Sequence, residues 1–392
     1  MVSYNFFDKD SCDICGLCLN QCPIMELPID QAKTEFRKLI NGEETAVLTR
    51  CTSCMTCNNF CPNESHPYEL ILYRWYERYK EKGLPLTAKF FLPYQFPNFG
   101  SVLLEQFPED EKKKVDSWAK LKKRGEIFYP GCNMIFLSYL SHSKLFENLT
   151  FMGSQELCCG EPWYRIGVLE TSEQIAKKLE KQFQNLGVKK MIIPCLAGCN
   201  MYKNVYPRFG AKFDFEIIPV LDWLWEKIDQ GKLKIKSKID KKITLHDNCQ
   251  AKPFGNKYFD LSRKILETIG VKVVEMEHNR EKSLCCGMAA FAGSHSVDDI
   301  LNAAMRRYNE AKDTGADALA LYCGGCQWVL SIAKILSQGK TPIFHIIELV
   351  QMAIGEKPPH RNIQRAQKIF ELAMAEAARV DPNERFWVEK IK

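Results

Sequence analysis

"SLCCGM" at residues 283–288 places two cysteines side by side, and "LCCG" at residues 157–160 does so a second time. A single tetrahedral zinc ion is usually held by cysteines two or more residues apart. A disulfide between neighbouring cysteines would bring their two Cα atoms much closer than a normal disulfide does. A cluster of several metal atoms is different, because adjacent thiolates can each reach a different atom. The doubled pair therefore favours a site with several metal atoms.

The chain repeats itself around the two cysteine pairs, which indicates a duplicated domain. The first copy contains "EIFYPGC" (126–132), "QELCCG" (155–160), "KKMIIPCLAGC" (189–199) and "FEIIPVLDWLWE" (215–226). The second copy contains "KKITLHDNC" (241–249), "KSLCCG" (282–287), "ADALALYCGGC" (316–326) and "TPIFHIIELVQM" (341–352). Each copy contributes five candidate ligands, namely Cys132, Cys158, Cys159, Cys195 and Cys199, and then Cys249, Cys285, Cys286, Cys323 and Cys326.

Short apolar runs in both copies predict buried strands, namely "IFY", "MIIP", "ITL" and "LALY". Helices are predicted at 171–187 and 297–315, and alternating strands and helices imply parallel βαβ units. Open α/β sheets bind ligands at the carboxyl ends of their strands. Four cysteines directly follow a predicted strand: Cys132, Cys195, Cys249 and Cys323. We therefore expect two clusters that face each other across a pseudo-twofold axis, with the active site between them.

Two more cysteine motifs lie near the N-terminus, "CDICGLCLNQCP" (12–23) and "CTSCMTCNNFCP" (51–62). Both match the C-x2-C-x2-C-x3-C-P pattern of bacterial ferredoxins, in which the fourth cysteine binds the other cluster. Two zinc sites are the alternative, which the double match with both prolines disfavours. The pattern predicts two cubane 4Fe–4S clusters, one on Cys12, Cys15, Cys18 and Cys61 and the other on Cys22, Cys51, Cys54 and Cys57.

The composition of the 392-residue chain is that of an ordinary globular protein, 46% hydrophobic and 26% charged. Eighteen cysteines could form disulfides in a secreted protein, but neither the length nor the N-terminal sequence is typical of that class. No apolar run approaches the ~18 residues of a membrane span. Nucleic-acid binding has little support, because the lysine runs are mixed with acids. We expect a cytoplasmic protein that could dock peripherally on a membrane complex.

The predicted fold class is α+β overall, with an N-terminal all-helical two-cluster ferredoxin domain followed by duplicated α/β (parallel βαβ) cysteine-rich domains. The predicted units are a helical ferredoxin domain (1–83), a linker (84–125), a first cysteine-rich domain (126–236), a second (237–352) and a C-terminal helical extension (353–392).

Helical patterns at 29–50, with a break at Asn41–Gly42, and at 66–83 support the first unit. The linker is rich in proline and aromatic residues, and we interpret it as a strap packed across two domains in preference to a surface for a membrane or partner. An amphipathic helix at 361–380 either caps its own domain or docks a partner.

The C…CCG…C-x2-C arrangement resembles the cysteine-rich CCG domain of heterodisulfide reductases. With the double ferredoxin motif, the chain is similar from about residue 10 to about residue 350 to the D-subunit of heterodisulfide reductases. Relatives of that subunit include iron–sulfur subunits of glycolate and glycerol-3-phosphate dehydrogenases and of membrane complexes linked to sulfite reduction. The resemblance implies a non-cubane 4Fe–4S cluster in a CCG domain, held by five cysteines with one thiolate bridging irons. It also implies that two such clusters cleave a disulfide of coenzyme M and coenzyme B.

The first copy departs from this pattern in two places. Only 25 residues separate Cys132 from Cys158, whereas 35 separate Cys249 from Cys285. The last pair of the first copy is also C-x3-C, where the second copy has C-x2-C. The non-cubane assignment therefore rests mainly on the second copy.

The final cysteine follows the adjacent pair by the same distance in both copies, so we expect Cys199 to be in register with Cys326. Leu196 would then occupy the position equivalent to Cys323, and Cys195 would stand one place before that position. Such a shift could rebuild the first cluster or leave a four-cysteine cubane.

His246, three residues before Cys249, is the candidate catalytic proton donor, although a lone histidine is more often structural. His278 and His295 flank the second pair. Core packing is the expected role of three residues near the ligands, Trp163, Trp328 and Met288. Close backbone approach to a cluster is the expected role of four glycines, Gly160, Gly287, Gly324 and Gly325.

The sequence and the resemblance together predict that electrons pass from the two cubanes to the CCG clusters and reduce a disulfide. No G-x-G-x-x-G motif is found, so flavin or nicotinamide would lie on another subunit. The expected partners are other redox subunits, a flavoprotein or a membrane cytochrome b-type subunit, and a thiol or disulfide coenzyme. The alternative is a non-catalytic electron-transfer subunit of an acyl-CoA reductase, sulfite-reduction-linked or hydroxy-acid dehydrogenase complex, which the irregular first site favours. A zinc-rich scaffold is a third hypothesis.

Overall fold

The N-terminal part of the protein is helical. The computed structural model describes residues 4–381, 383–389 and 391. The first helices are α1 (Leu17–Asn20), α2 (Ile29–Asn41), α3 (Val47–Arg50), α4 (Thr56–Asn59) and α5 (Pro67–Lys82). Helix α2 ends where the Asn41–Gly42 pair predicts, because Gly42 adopts a left-handed φ of 76° that ordinary residues avoid.

The segment predicted as a linker contains further secondary structure. It comprises strand β1 (Leu84–Pro85) and helices α6 (Leu86–Phe91), α7 (Phe99–Glu105) and α8 (Glu109–Trp118). Asn98 begins α7 with a reciprocal side-chain capping arrangement with Ser101. Phe99 lies 5.1 Å from Phe136 in the first copy and 5.9 Å from Trp328 in the second, measured between ring centroids. The segment is therefore packed across the two copies of the repeat, as the strap interpretation expects.

The first copy of the repeat forms a parallel sheet of three strands in the order β2-β3-β4. The strands are β2 (Glu126–Phe128), β3 (Lys190–Ile193) and β4 (Glu216–Pro219). Its helices are α9 (Gly131–Phe136), α10 (Glu161–Arg165), α11 (Leu169–Asn185), α12 (Leu196–Asn200) and α13 (Val220–Asp229). The strands predicted from "IFY" and "MIIP" and the helix predicted at 171–187 are confirmed.

The second copy forms a parallel sheet of four strands in the order β6-β5-β7-β8. The strands are β5 (Lys241–His246), β6 (Val271–Val274), β7 (Ala318–Leu321) and β8 (Ile343–His345). Its helices are α14 (Lys257–Thr268), α15 (Phe291–Ser294), α16 (Val297–Asp313), α17 (Gly324–Leu336) and α18 (Ile346–Ala353). The protein is thus mixed α/β, and the parallel sheets predicted for both copies are confirmed.

A missing strand and helix explain why the first copy is shorter. In the second copy, α14 and β6 lie between Cys249 and Cys285. The corresponding segment of the first copy, which the structure describes throughout, has only a single parallel bridge from Phe151 to Phe128 at the position of β6. The ten-residue difference in cysteine spacing therefore lies at the outer edge of the sheet and leaves the strands that precede the cysteines unchanged.

The C-terminal part of the chain folds back over the rest of the molecule. Helix α19 (Asn362–Arg379) packs against α17 and α7, so the predicted amphipathic helix caps its own protein. Beyond it, β9 (Arg385–Phe386) pairs antiparallel with β1, with Leu84 opposite Phe386. One continuous hydrophobic core joins the N-terminal helices to both sheets.

The capping helix is fixed to α8 by a buried ion pair. Glu111 is fully buried and accepts hydrogen bonds from Arg365 at 2.9 and 3.1 Å, and from Arg361 and Ser138. Burial raises the pKa of Glu111, but the Arg365 charge and the hydrogen bonds outweigh it and hold that pKa below the ordinary 4.5. The stabilisation is therefore present above pH 4.5 and is lost as the pH falls through the lower folded value.

Arg365→Met is expected to destabilise the protein by about 3–5 kcal/mol, because it leaves a buried carboxylate without its main partner. Lys368→Met, on the exposed side of α19, removes a surface pair with Glu371 and should cost about 1 kcal/mol or less. Anaerobic urea unfolding measures both variants, and hydrogen exchange shows whether α19 opens first. Equal destabilisation by the two variants would contradict the assignment.

Candidate metal centre

The two N-terminal cysteine loops have the same backbone shape. Ile14 and Ser53, at equivalent positions before the second cysteine of each loop, have φ of 55° and 53°. Gly16 and Met55, one residue after that cysteine, have φ of 81° and 62°. Left-handed backbone is costly for a β-branched residue such as Ile14 and persists only where the surroundings impose it. The repeated strain points to two loops that wrap equivalent groups.

Each loop has the fourth cysteine of the other motif beside it. Burial and, after it, the charges of neighbouring thiols including Cys61 raise the pKa of Cys12, Cys15 and Cys18. Burial and the charge of Cys54 raise the pKa of Cys22 to about 11. A small cavity is lined by four predicted ligands of one cubane, Cys22, Cys51, Cys54 and Cys57. The cysteines of the two motifs therefore lie near one another, and their assignment to two four-thiolate clusters stays a prediction.

Nine of the ten cysteines of the repeat line one cavity between the two copies. The cavity contains about 1330 Å³ of empty space, part of it open to solvent. Four of its cysteines follow the carboxyl ends of β2, β3, β5 and β7, as the strand prediction requires. The nine are Cys132, Cys158, Cys159, Cys195, Cys249, Cys285, Cys286, Cys323 and Cys326.

Thiols within each set are in contact with one another. A hydrogen bond from Cys158 lowers the pKa of Cys132. Hydrogen bonds from Cys285 and Cys326 lower the pKa of Cys286 well below 9.0. All eighteen cysteines, which lie in the described part of the chain, are free of disulfides. Buried and half-buried free thiols that meet in groups of four or five are suited to a metal cluster and unsuited to a single zinc ion.

Cys199 is the one cysteine of the repeat that is absent from the described lining of the cavity. Cys195 is the N-cap of α12 as Cys323 is the N-cap of α17, two residues beyond the preceding strand in each case. The expectation that Cys199 is in register and Cys195 is early is therefore wrong. Cys199 stands one residue later on its helix than Cys326 does. Because each helical residue is rotated by about 100° from the one before it, the side chain of Cys199 leaves its helix in a different direction.

The N-terminal turn of α17 approaches the first copy closely. A Cβ atom on Gly324 would lie 3.0 Å from the Asn133 Cβ and from the Leu137 Cδ1. Asn133 in turn donates a hydrogen bond to the Cys195 sulfur at 3.3 Å. Gly324 therefore serves the contact between the copies. Gly287, at φ 106°, approaches the backbone of α16, where a Cβ would lie 2.2 Å from the Ile300 carbonyl oxygen.

Arg165 connects three parts of the molecule, and no sequence motif predicted this role. Its two terminal guanidinium nitrogens lie 3.4 and 3.5 Å from the Cys249 sulfur, and its Nε donates to Glu161. Its carbonyl oxygen accepts a hydrogen bond from Ser53, whose amide faces the Cys51 sulfur at 3.4 Å. Burial raises the pKa of Cys249, and the Arg165 cation opposes that rise. The only sequence signal is a cation six residues after the first cysteine pair.

His246 is fully buried beside the second set of cysteines. Its Nδ1 accepts a hydrogen bond from Arg307 at 2.9 Å, so the ring proton lies on Nε2. A ring nitrogen of His246 and the sulfurs of Cys286 and Cys326 lie within 4.8 Å of one another. The proton-donor role of His246 stays a prediction, and the arrangement equally fits a hydrogen-bond donor to a bound cluster.

Buried polar atoms without a partner among the described residues gather beside this second set. They belong to His246, Arg307, Asn248 and Ser283. Unsatisfied buried groups are rare and usually face an ion, water or ligand. Together with the five thiols, they fit a cluster at this position.

The other histidines and the large apolar residues near the ligands have different surroundings. His278 contacts Glu310, and burial together with Arg385 and Arg78 lowers the pKa of His295 to about 4. Trp163 is fully buried and donates to the Pro93 carbonyl, so its core role is confirmed. Core packing is an incomplete description of Trp328 and Met288, because both line the cavity.

A comparison with protein families matches the cysteine-rich CCG domain to residues 127–202 and 243–331. The D-subunit of the dihydromethanophenazine:CoB–CoM heterodisulfide reductase of Methanosarcina mazei is 25% identical over 91% of this chain and 96% of its own length. The equivalent protein of Methanosarcina barkeri is 28% identical over 82% of this chain and 79% of its own length.

A more similar but longer relative and one solved structure complete the comparison. A probable iron–sulfur-binding oxidoreductase of Bacillus subtilis is 33% identical over 60% of this chain and 36% of its own length. A crystal structure of a hypothetical protein from Helicobacter pylori shares the fold with a TM-score of 0.51 at 14% identity, over 84% of this chain and 65% of that chain.

None of the helices in the described residues has the length and apolar character needed to cross a membrane. The two matched domains include all the cysteines that line the cavity, and the N-terminal motifs precede both domains. The chain thus contains two cysteine-rich CCG domains and is an iron–sulfur oxidoreductase-type protein similar to the D-subunit of heterodisulfide reductases.

Proposed function

We propose that this chain is the iron–sulfur subunit of a redox complex and reduces a disulfide in the cavity between its two CCG domains. The observation that carries the proposal is the convergence of nine cysteines, from both domains, on one cavity. Cleaving an S–S bond to two thiols consumes two electrons and two protons. The electrons come from a partner redox subunit, a flavoprotein or a membrane cytochrome b-type subunit, through the N-terminal cysteines.

The proposed clusters follow the sets of thiols. Bound clusters supply one-electron transfer, which two sites can combine into a two-electron reduction. The N-terminal unit, 1–83, would hold two cubanes, on Cys12, Cys15, Cys18 and Cys61 and on Cys22, Cys51, Cys54 and Cys57. The units 126–236 and 237–352 would hold one cluster each, on Cys132, Cys158, Cys159 and Cys195 and on Cys249, Cys285, Cys286, Cys323 and Cys326. Five thiols with an adjacent pair favour a non-cubane cluster in the second CCG domain.

Arg165 supports a direct connection between the N-terminal unit and the second CCG domain. It contacts Cys249 through its guanidinium and Ser53 through its carbonyl oxygen. Gly293, in the helix that follows the second cysteine pair, packs so tightly on the N-terminal unit that a Cβ would lie 3.0 Å from the Cys51 carbonyl oxygen. Electrons would therefore pass from the N-terminal unit to the second CCG domain through covalent bonds and short non-covalent contacts.

Anaerobic iron and sulfide analysis with electron paramagnetic resonance tests the proposal. We expect about sixteen irons per chain and a paramagnetic signal that changes when a thiol is added to the oxidised protein. About eight irons would leave only the N-terminal unit loaded and would contradict cluster binding in the CCG domains. If the purified protein contained zinc in place of iron, the proposed function would be wrong and a structural scaffold role would take its place.

The displaced Cys199 favours a second candidate, a subunit that conducts electrons between partners without binding a disulfide. Only four thiols of the first CCG domain reach the cavity. A full iron content with no response of the signal to any thiol would select this candidate.

A further inference from the structure

Lys252 is a buried cation without a carboxylate partner. It lies in a short 3₁₀-helical turn, Cys249–Phe254, and the residue is 1% exposed. Its Nζ donates one hydrogen bond, to the Ser283 carbonyl oxygen at 3.0 Å. No Asp or Glu in the described part of the chain pairs with it. A lysine is almost never fully buried unless its charge is paired, so we expect a negative group beside Lys252 that no carboxylate supplies.

Lys252 lies where the second CCG domain contacts the N-terminal unit. Its carbonyl oxygen accepts a hydrogen bond at 3.3 Å from the side chain of Asn59, the last residue of α4 in the second cysteine motif. Ser283, which accepts from its Nζ, stands two residues before Cys285. Burial raises the pKa of Cys22, and the Lys252 charge opposes that rise. The lysine charge therefore acts on a predicted ligand of the N-terminal unit from within the second CCG domain.

The cysteines grouped with Cys22 lie where negative charge is otherwise unfavourable. Cys54 and Cys57 are buried, and burial raises the pKa of both Cys51 and Cys57. A cluster held by thiolates is negatively charged, and reduction adds one further negative charge. Burial of such a cluster therefore disfavours its reduction unless a cation stands beside it. A buried lysine without a carboxylate partner fits that requirement.

We infer that Lys252 is the counter-ion of the predicted cluster on Cys22, Cys51, Cys54 and Cys57, and that its charge keeps this buried cluster reducible. The inference rests on the N-terminal clusters of the proposed function and is independent of the disulfide substrate. One electron from the partner subunit enters the cluster, and no bond is made or broken. Lys252 is a positioning residue, which favours the reduced state without contacting the substrate.

Redox titration of the cluster-loaded full chain, followed by electron paramagnetic resonance, tests the inference. Lys252→Met removes the charge and the hydrogen bond, while Lys252→Gln removes the charge and keeps a donor for the Ser283 carbonyl. Both should shift the reduction equilibrium of one N-terminal cluster about tenfold or more toward the oxidised form, which is about 59 mV for one electron. Lys252→Arg keeps the charge and should shift it less. Lys257→Met, which removes an exposed lysine paired with Asp222, should leave it unchanged.

Asp13→Asn identifies which cluster responds. Asp13 is exposed and accepts a hydrogen bond from the Cys15 amide at 3.0 Å, so it lies beside the other predicted N-terminal cluster. Removing this negative charge should shift that cluster slightly toward the reduced form, and less so at high salt. The Lys252 variants and Asp13→Asn should therefore move different clusters in opposite directions.

The outcomes separate this inference from the proposed function. Unchanged potentials in Lys252→Met and Lys252→Gln, at wild-type iron content, would limit Lys252 to a structural role and leave disulfide reduction standing. An equal shift in Lys252→Arg and Lys252→Met would show that the charge is not the cause and overturn the inference. A shift of the same cluster by Asp13→Asn and Lys252→Met would overturn it as well. A wild-type chain without N-terminal clusters would overturn the inference together with the electron route of the proposed function.

Discussion

Replacing Cys326 with alanine is expected to remove about four of roughly sixteen irons, whereas the same replacement at Cys199 is expected to remove none. Each of the two cysteines is the last of its copy, forty positions after the second cysteine of the adjacent pair, and both are buried. Cys326 lines the cavity and hydrogen-bonds to Cys286, while Cys199 is absent from the described lining. The difference follows from the one-residue shift along α12.

Iron analysis and the paramagnetic spectrum of the two variants provide the measurement. The pair is matched for residue type and burial, so a general effect of losing a buried thiol would appear in both. Loss of iron in Cys199→Ala to the same extent as in Cys326→Ala would show that the first cluster draws Cys199 inward when it assembles. The proposed four-thiolate site in the first domain would then be wrong.

Arg165→Met is expected to lower the reduction potential of the second CCG cluster by about 60 mV or more. Reduction adds negative charge to a cluster, so a nearby cation with hydrogen bonds to a ligand sulfur favours the reduced form. A hydrogen bond to a charged group contributes about 1.5–3 kcal/mol, and about 1.4 kcal/mol corresponds to 59 mV for one electron. The variant also takes the Arg165 partner from the partly buried Glu161, which should cost no more than about 3–5 kcal/mol because Gln250 still donates to that carboxylate.

Two further variants separate these effects. Arg165→Lys keeps the charge but loses the planar fork that reaches Cys249 and Glu161 together, so its potential should fall less. The double variant Arg165→Met with Glu161→Gln removes the unpaired carboxylate and should recover stability while the potential stays low. Redox titration followed by electron paramagnetic resonance measures the potential, and urea unfolding measures stability. An unchanged potential in all three variants would limit Arg165 to a structural role.

The cysteine sets were predictable from the sequence because metal-ligand spacing is local. The C-x2-C-x2-C loops, the adjacent pairs and the cysteines after strands all appear within short segments, and nine of the ten cysteines of the repeat line one cavity. Strands β4 and β8 were not predicted separately, because each is a short apolar run that continues directly into α13 or α18. A hydrophobic run of that kind does not show where extended chain becomes helix.

The relations between the copies were not predictable in this way. Whether Cys195 or Cys199 is in register with its counterpart in the second copy depends on where α12 begins. Counting residues from the adjacent cysteine pair alone gave the opposite answer. Arg165 acts on a sulfur that belongs to the other copy, so its role depends on tertiary contacts. The rings of Phe99, Phe136 and Trp328 likewise meet from three distant segments. Sequence patterns indicated the chemistry of the site, while the pairing of its parts required the folded chain.

The antiparallel pairing of β1 with β9 has a consequence for biosynthesis. The two strands are separated by about 300 residues, which a ribosome adds in roughly 15–60 s at about 5–20 residues per second. The N-terminal cysteine motifs leave the ribosome before β1, and the strand that completes that region arrives last. The region around β1 therefore lacks this pairing until about 300 further residues have been made.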